Sequence, residues 1–172
     1  MDNRVFIGIG SNIGNAVHHC ITGIKTIIDD SRVDFLDASS LYITSPVSPI
    51  PQEDFINCVI SLTWEDSSLR LLELLHHIEQ TMGRVRNVVS GPRIIDLDIL
   101  LFKDVILDNP FLIIPHPRLH ERKFTLIPCL EIDPLLIHPL YQKHLSSFLD
   151  TIDDTQRISV YTSAEEVRRN VS

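Results

Sequence analysis

The stretch Ser90-Gly91-Pro92-Arg93-Ile94-Ile95-Asp96-Leu97-Asp98-Ile99-Leu100-Leu101-Phe102 is the tightest constraint on this chain. Two carboxylates stand two residues apart inside an apolar, β-branched run. Along a strand side chains alternate between faces, so Asp96 and Asp98 project together and Leu97, Ile99 and Leu101 take the other face. Two ionised carboxylates side by side repel, and a half-buried strand strips water from both. A divalent cation relieves both penalties. So few oxygen ligands suit Mg²⁺, which keeps several waters and shares its shell with substrate phosphates. Arg93, three residues earlier, supplies a cation to face a phosphate. The stretch points to metal-assisted phosphoryl chemistry. A solvated strand face is the bland alternative, and the Gly-Pro-Arg ahead of it argues against that.

The length of 172 residues favours one domain, 1–172, large enough to bury a core without disulfides or structural metal, with a peripheral tail from about residue 153. A net charge of −8 excludes a general nucleic-acid binder, which needs a basic face. Cys20, Cys58 and Cys129 lie far apart among apolar residues, which predicts buried thiols in a reducing compartment. No signal peptide and no membrane-spanning run is recognisable, so a cytoplasmic location without membrane contact is expected.

Val5 to Ile9 reads as a buried strand broken by Gly10-Ser11-Asn12-Ile13-Gly14. Val17, Cys20, Ile21, Ile24, Ile27 and Ile28 then recur at helical spacing, with Asn12 or Asn15 as cap. Val33 to Thr44 is a second strand candidate, and Ser45 to Pro51 a proline-stiffened loop. In Phe55 to Trp64, Ile56, Cys58, Ile60, Leu62 and Trp64 form a core face. Phe55, Asn57, Val59, Ser61 and Thr63 form a half-polar face suited to a ligand. Leu71, Leu75, Ile78 and Met82 stripe a second helix, capped by Asp66, Ser67 or Ser68 and stopped at Gly83. His76 and Glu79 sit at the edge of that stripe, toward the sheet's end. Lys103 to Pro115 reads as a turn and extended arm, Phe124 to Leu130 as a short helix, and Leu145 to Ile152 as another. Ser163 and Glu166 have capping-box spacing. The order β-α-β-β-α-β is the ferredoxin-like split βαβ of the α+β class. It predicts an antiparallel sheet with both main helices on one face and the other face free for ligand.

Arg84, Arg86, Arg93 and Arg122 form a local cationic focus in an acidic chain, and guanidinium groups bind phosphate bidentately. Gly8 to Gly14 lacks the spacing of a dinucleotide loop and the lysine of a Walker loop, which favours a tight strand-to-helix turn over a phosphate cradle. His116 and His120 have no third ligand nearby and Pro117 between them, which argues against zinc. His116 is better read as a hydrogen-bond donor to phosphate. His18, His19, His138 and His144 read as surface or turn residues. No serine or cysteine nucleophile with a paired histidine is evident.

Several motifs fall in one order: Gly10-Ser11-Asn12-x-Gly14, Tyr42-x-Thr44, Phe55-x-Asn57, Ile78-Glu79-x4-Arg84-x-Arg86, Gly91-Pro92-Arg93-x-x-Asp96-Leu97-Asp98, Pro115-His116-Pro117-Arg118, Arg122-x-Phe124 and Glu131-Ile132-Asp133-Pro134. Together, from about Val5 to Pro139, they resemble the 6-hydroxymethyl-7,8-dihydropterin pyrophosphokinases. The resemblance implies transfer of pyrophosphate from ATP, the co-substrate, to the pterin hydroxymethyl group in folate biosynthesis, with release of AMP. It implies that Asp96 and Asp98 hold two Mg²⁺ ions. Arg84, Arg93, His116 and Arg122 would grip the triphosphate, and Arg84 and Arg93 join the two aspartates as the catalytic set. His76, Glu79 and the Ile99 backbone would lie on the nucleotide side. Asn57 would bond the pterin edge, Phe55 and Phe124 flank its ring, and Thr44 and Val47 contribute backbone contacts. A folate-pathway partner or fusion is a further implication. The loop Arg86 to Gly91 departs from the pattern: it is one residue short and lacks the tryptophan and extra arginine of a closing lid, leaving Val88 or Val89 to cover the ring. Two rival readings stay open, another Mg²⁺-dependent nucleotidyl- or phosphotransferase and a non-catalytic ferredoxin-like ligand module.

Overall fold

A computed structural model describes residues 3–84, 91–153 and 155–172. Strand β1 (Arg4–Ser11) is central. It pairs antiparallel with β4 (Phe55–Trp64) on one side and β5 (Asp96–Phe102) on the other. Beyond β4 lie β2 (Val33–Ala38), β3 (Leu41–Thr44) and, outermost, β10 (Ile158–Thr162). The single strand expected over Val33 to Thr44 is thus two. The break is at Ser39-Ser40, where Glu131 accepts from the Ser40 backbone N–H (2.8 Å) and from Ser40 Oγ (2.7 Å). Short hairpins pair β6 (Leu107–Asp108) with β7 (Ile113–Ile114), and β8 (Ile137–His138) with β9 (Lys143–His144).

Helices α1 (Ala16–Ile28) and α2 (Ser68–Thr81) cover one face of the sheet. Asn15 and Ser67 cap them, each side-chain oxygen accepting a backbone N–H of the first turn. Their apolar stripes meet Ile56, Cys58, Ile60, Leu62 and Trp64, the core face expected for β4. The arrangement is the ferredoxin-like split βαβ. The three cysteines are buried and free.

The opposite face is not free. Helix α3 (Lys123–Ile132) and the 3₁₀ turns Leu119–Glu121 and Leu145–Thr151 build a second core over half of it, around Phe6, Val59, Leu100 and Leu101. This corrects the placement of Leu101 beside Leu97 and Ile99. Phe6 pairs with Leu101 and Ile7 with Ile99, so Leu100 is an extra residue, and the bulge turns Leu101 to the second core. His138 is corrected too. It is 2% exposed, boxed by the rings of His120, Tyr141 and Phe148.

The tail is not peripheral. Strand β10 extends the sheet at β3, and α4 (Ala164–Val171) packs Val167 and Val171 into the main core. Burying two such side chains contributes about 1.5–3 kcal/mol each. Ser163 caps α4 by accepting from the Glu166 N–H at 3.3 Å.

Candidate active site

Asp96 and Asp98 open β5 on the face away from α1 and α2, as the alternation requires. Their partners on β1 are Gly10 and Gly8. Opposite them, on β4, Gly10 meets Asn57 and Gly8 meets Val59. A Cβ on Gly10 would stand 2.5 Å from Asn57 Oδ1, and one on Gly8 3.3 Å from the Leu100 methyls. The glycines of the expected strand-to-helix turn therefore do two jobs. Gly14, at φ +62°, makes the turn, while Gly8 and Gly10 are the bare floor of a pocket.

Asp96 is gripped from both sides. Its Oδ1 accepts from Arg84 at 2.6 Å and its Oδ2 accepts from Arg93. Glu79, 2% exposed, accepts from Arg84 as well and from the Leu97 backbone N–H at 2.8 Å, on the unpaired edge of β5. Glu79 thus orients Arg84 and finishes the strand edge in addition to lining the cleft. The carboxylates of Asp96 and Glu79 outweigh the burial of Arg84 and raise its pKa.

Asp98 accepts no hydrogen bond among the described residues. Burial, and then the neighbouring Asp96 charge, hold its pKa up at about 7. Arg122 is pushed the opposite way, its pKa lowered by burial and by Arg118. The site thus combines a carboxylate short of cations with a guanidinium short of anions. His116 is neutral, with its pKa down at about 4 through burial and Arg122. Its Nδ1 accepts the Arg118 backbone N–H at 3.1 Å, which leaves the proton on Nε2, available to donate.

Two pockets meet at this point. The smaller is lined by Thr44, Val47, Phe55, Asn57 and Phe124, all five expected acceptor residues, with Gly8, Gly10 and Gln52. Asn57 donates to Thr44 Oγ1 at 2.6 Å. The larger cleft brings together His76, Glu79, Arg84, Ile99 and His116 with the β6–β7 hairpin. Arg93, Asp96, Asp98 and Arg122 line both. Arg86, Val88, Val89 and the short lid lie outside the described residues. His120 sits in the aromatic box with His138, apart from His116 in the cleft, and no cluster of three or more His, Cys, Asp or Glu exists among the described residues. Two carboxylates, one of them unpartnered, fit Mg²⁺, which takes one or two from protein and the rest of its shell from water and phosphate.

Sequence reading missed Asn12 as a site residue. It exchanges hydrogen bonds with Arg93, Asn12 N–H to the Arg93 carbonyl at 3.1 Å and Arg93 N–H to Asn12 Oδ1 at 2.9 Å. Its Nδ2 donates to Gln52 Oε1 and to the Glu53 carbonyl, both at 3.0 Å. Asn12 therefore sets the loop that carries Arg93 against the proline loop. The only signal was its place in the Gly-Ser-Asn motif.

An antiparallel split βαβ sheet with a carboxylate pair at the junction of two pockets is the architecture of a group-transfer enzyme. Comparison with known proteins narrows the class. Residues 6–134 match the profile of 7,8-dihydro-6-hydroxymethylpterin-pyrophosphokinase (HPPK). The 2-amino-4-hydroxy-6-hydroxymethyldihydropteridine pyrophosphokinase of Bacillus subtilis is 39% identical over 132 residues, 77% of this chain and 79% of that one. The folic acid synthesis protein fol1 of Schizosaccharomyces pombe is 37% identical over 158 residues, 92% of this chain, which spans only 21% of that protein. Among solved structures, Plasmodium falciparum HPPK-DHPS superposes with a TM-score of 0.68 at 16% identity, over 88% of this chain and 45% of that one, a likeness of fold. The chain belongs to the 7,8-dihydro-6-hydroxymethylpterin-pyrophosphokinase family.

Proposed function

We propose that this chain, as a single domain, transfers the pyrophosphoryl group of ATP to 6-hydroxymethyl-7,8-dihydropterin. The substrate hydroxyl oxygen forms a bond to the β-phosphorus, the bond from that phosphorus to the α,β-bridging oxygen breaks, AMP leaves with the electron pair, and the hydroxyl proton passes to solvent. The observation that carries this reading is the sharing of Arg93, Asp96, Asp98 and Arg122 between two pockets of different character. A group that moves from a donor to an acceptor must cross where their sites touch.

The residues take the following roles. Phe55 and Phe124 stack on the flat pterin ring, and Asn57 bonds its polar edge, with Thr44 and Val47 beside it. His76, Glu79 and the Ile99 backbone border the nucleotide. Arg84, Arg93, Arg122 and the Nε2–H of His116 hold the phosphate oxygens, where charge spreads in a loose transition state. Asp96 and Asp98 would hold two Mg²⁺ ions, which when bound neutralise phosphate charge and acidify the attacking hydroxyl. The raised pKa of Asp98 fits this placement, because a cation beside it would supply the positive charge that its buried carboxylate lacks. The chain works in the cytoplasm and beside, or joined to, a further folate-pathway enzyme. The greater length of the fol1 relative supports that arrangement. No helix among the described residues is long and apolar enough to cross a membrane.

The test is to incubate the protein with ATP, Mg²⁺ and hydroxymethyldihydropterin and to separate the nucleotides. AMP that depends on pterin is the expected product. ADP, or AMP formed equally without pterin, overturns the reading. AMP attached to an acceptor with free pyrophosphate identifies a nucleotidyltransferase instead.

A further inference from the structure

Beyond the stretch matched to the family profile, one short segment touches both walls of the smaller pocket. One wall is the end of β3 and the loop after it, Thr44, Ser45 and Val47. The other is the start of α3, Arg122 and Phe124. Gln156 Oε1 accepts the Lys123 backbone N–H at 3.0 Å, and Gln156 Nε2 donates to the Glu121 carbonyl at 3.1 Å. These two bonds bracket Arg122. The next residue turns to the other wall: the Arg157 carbonyl accepts from the Ser45 N–H at 3.0 Å, and the Arg157 N–H donates to Ser45 Oγ at 3.0 Å. Arg157 also faces Asp54 at 3.6 Å. From Ile158, opposite Thr44, the segment continues as β10 and is locked into the sheet.

Two consecutive residues thus join, through four hydrogen bonds, loops that are about 75 residues apart in sequence and share no strand pairing. Both loops are weakly determined by themselves. The one after Ser45 has three prolines and no regular structure, and the N-terminus of α3 has no side-chain cap. A flat aromatic ligand held between two walls binds best when their spacing is set beforehand, since ordering them on binding subtracts from affinity.

We propose that Gln156 is a positioning residue that fixes the spacing of the acceptor pocket and thereby the affinity for the flat bicyclic acceptor. This rests on assigning the smaller pocket to the pterin. Gln156 touches neither substrate. It acts through the Glu121–Lys123 backbone on Arg122 and Phe124, and Arg157 anchors it to Ser45.

The test compares wild type with Gln156→Ala, which loses both bonds, and Gln156→Glu, which keeps the acceptor for Lys123 and loses the donor to Glu121. Steady-state kinetics give KM for pterin and for ATP, and amide hydrogen exchange of the ligand-free protein gives the coupling between walls. Losing two such bonds predicts a pterin KM raised roughly 5- to 20-fold in Gln156→Ala, with ATP KM within about twofold and Gln156→Glu intermediate. The Ser45 amide, which Gln156 does not contact, is expected to exchange faster in Gln156→Ala while amides of β4 do not change. A pterin KM equal to wild type overturns the proposal. So does a joint rise of both KM values with faster exchange across the sheet, which marks a merely structural role. If wild type itself makes no pterin-dependent AMP, the function reading fails separately. Exchange then decides the strut, and an unaltered Ser45 amide refutes it.

Discussion

Replacing Asn12 by alanine tests whether the loop that carries Arg93 is held from β1. Asn12 is 8% exposed, and its side chain makes three hydrogen bonds, to the Arg93 N–H, Gln52 Oε1 and the Glu53 carbonyl. Each is worth about 1 kcal/mol net, and the two backbone groups left behind at Arg93 and Glu53 raise the cost, giving roughly 2–4 kcal/mol in all. For a chain of this length that lowers Tm by about 5–15 °C. The second effect is on Arg93. Its backbone is positioned by Asn12 and its guanidinium by Asp96. With the first constraint gone, turnover should fall on the order of 10²-fold, as expected when a phosphate-holding group is misplaced by about 1 Å. Asn12→Asp separates the parts. It keeps the acceptor for the Arg93 N–H and puts an anionic oxygen against the Glu53 carbonyl. It should be as unstable as the alanine variant while retaining more of kcat. Differential scanning calorimetry and an AMP-release assay read both quantities. A Tm within about 2 °C of wild type in Asn12→Ala, together with unchanged kcat, would refute the reasoning.

Three further predictions follow from the same geometry. If Asp98 holds a cation as proposed, Asp98→Asn should lower kcat by about 10³-fold or more, while pterin binding measured by fluorescence stays within a few-fold; turnover near wild type sinks the metal role. Gly10→Ala should displace the Asn57 side chain, whose Oδ1 lies 2.5 Å from the new Cβ, and raise pterin KM by about tenfold or more through the lost acceptor contact; an unchanged KM would show that Asn57 is not the acceptor's partner. His138, with its folded pKa down at about 4 through burial and His120, favours the neutral form when folded. The unfolded chain takes up the proton first, so this contribution is complete above about pH 6.5 and is lost as pH falls toward 4, about 3 kcal/mol in total. In urea unfolding, wild type should therefore lose stability relative to His138→Phe as pH drops from 7.5 to 4.5, and parallel curves contradict the assignment.

The sheet was legible because its signal is local. Ten residues of β4 alternate without interruption, and each side chain took the face its position dictated. The errors share a different cause. The bulge at Leu100 leaves no mark in an apolar run, since one extra leucine preserves hydrophobicity while reversing every later face. The tail looked polar because α4 is anchored by only two valines four residues apart. The Ser39-Ser40 break is stabilised by Glu131, 91 residues away. Within the site, the groups with distinctive chemistry, Asp96, Asp98, Arg84, Arg93 and His116, stood out by type and motif. Asn12 and Gln156 work through backbone contacts 81 and 33 residues away, and nothing in their neighbours' identities announces that.

The two glycines of β1 explain why the carboxylate pair and the acceptor pocket occupy one surface. In a sheet, the residue opposite a functional side chain normally fills the space beside it, with Cβ atoms about 4.5–5.5 Å apart. Opposite Asp96 and Asp98 stand Gly10 and Gly8, so β1 contributes only backbone there. Its neighbours lean into the vacated space, Asn57 from β4 over Gly10 and Leu100 from β5 over Gly8. On its far side β5 has no partner strand among the described residues, and Glu79 takes the Leu97 N–H that a strand would otherwise use. The aspartates therefore face an open pocket across the sheet and an open cleft beyond its edge, and the buried carboxylate that finishes the edge is also the one that fixes Arg84. The bulge at Leu100 contributes to this arrangement. Before it, β5 presents Asp96 and Asp98 to the pocket and the cleft; after it, Leu100 and Leu101 both turn to the second core, which holds α3 and with it Arg122 and Phe124 at the far wall. A strand that alternated regularly would keep the aspartates and lose half of the packing that positions their partners.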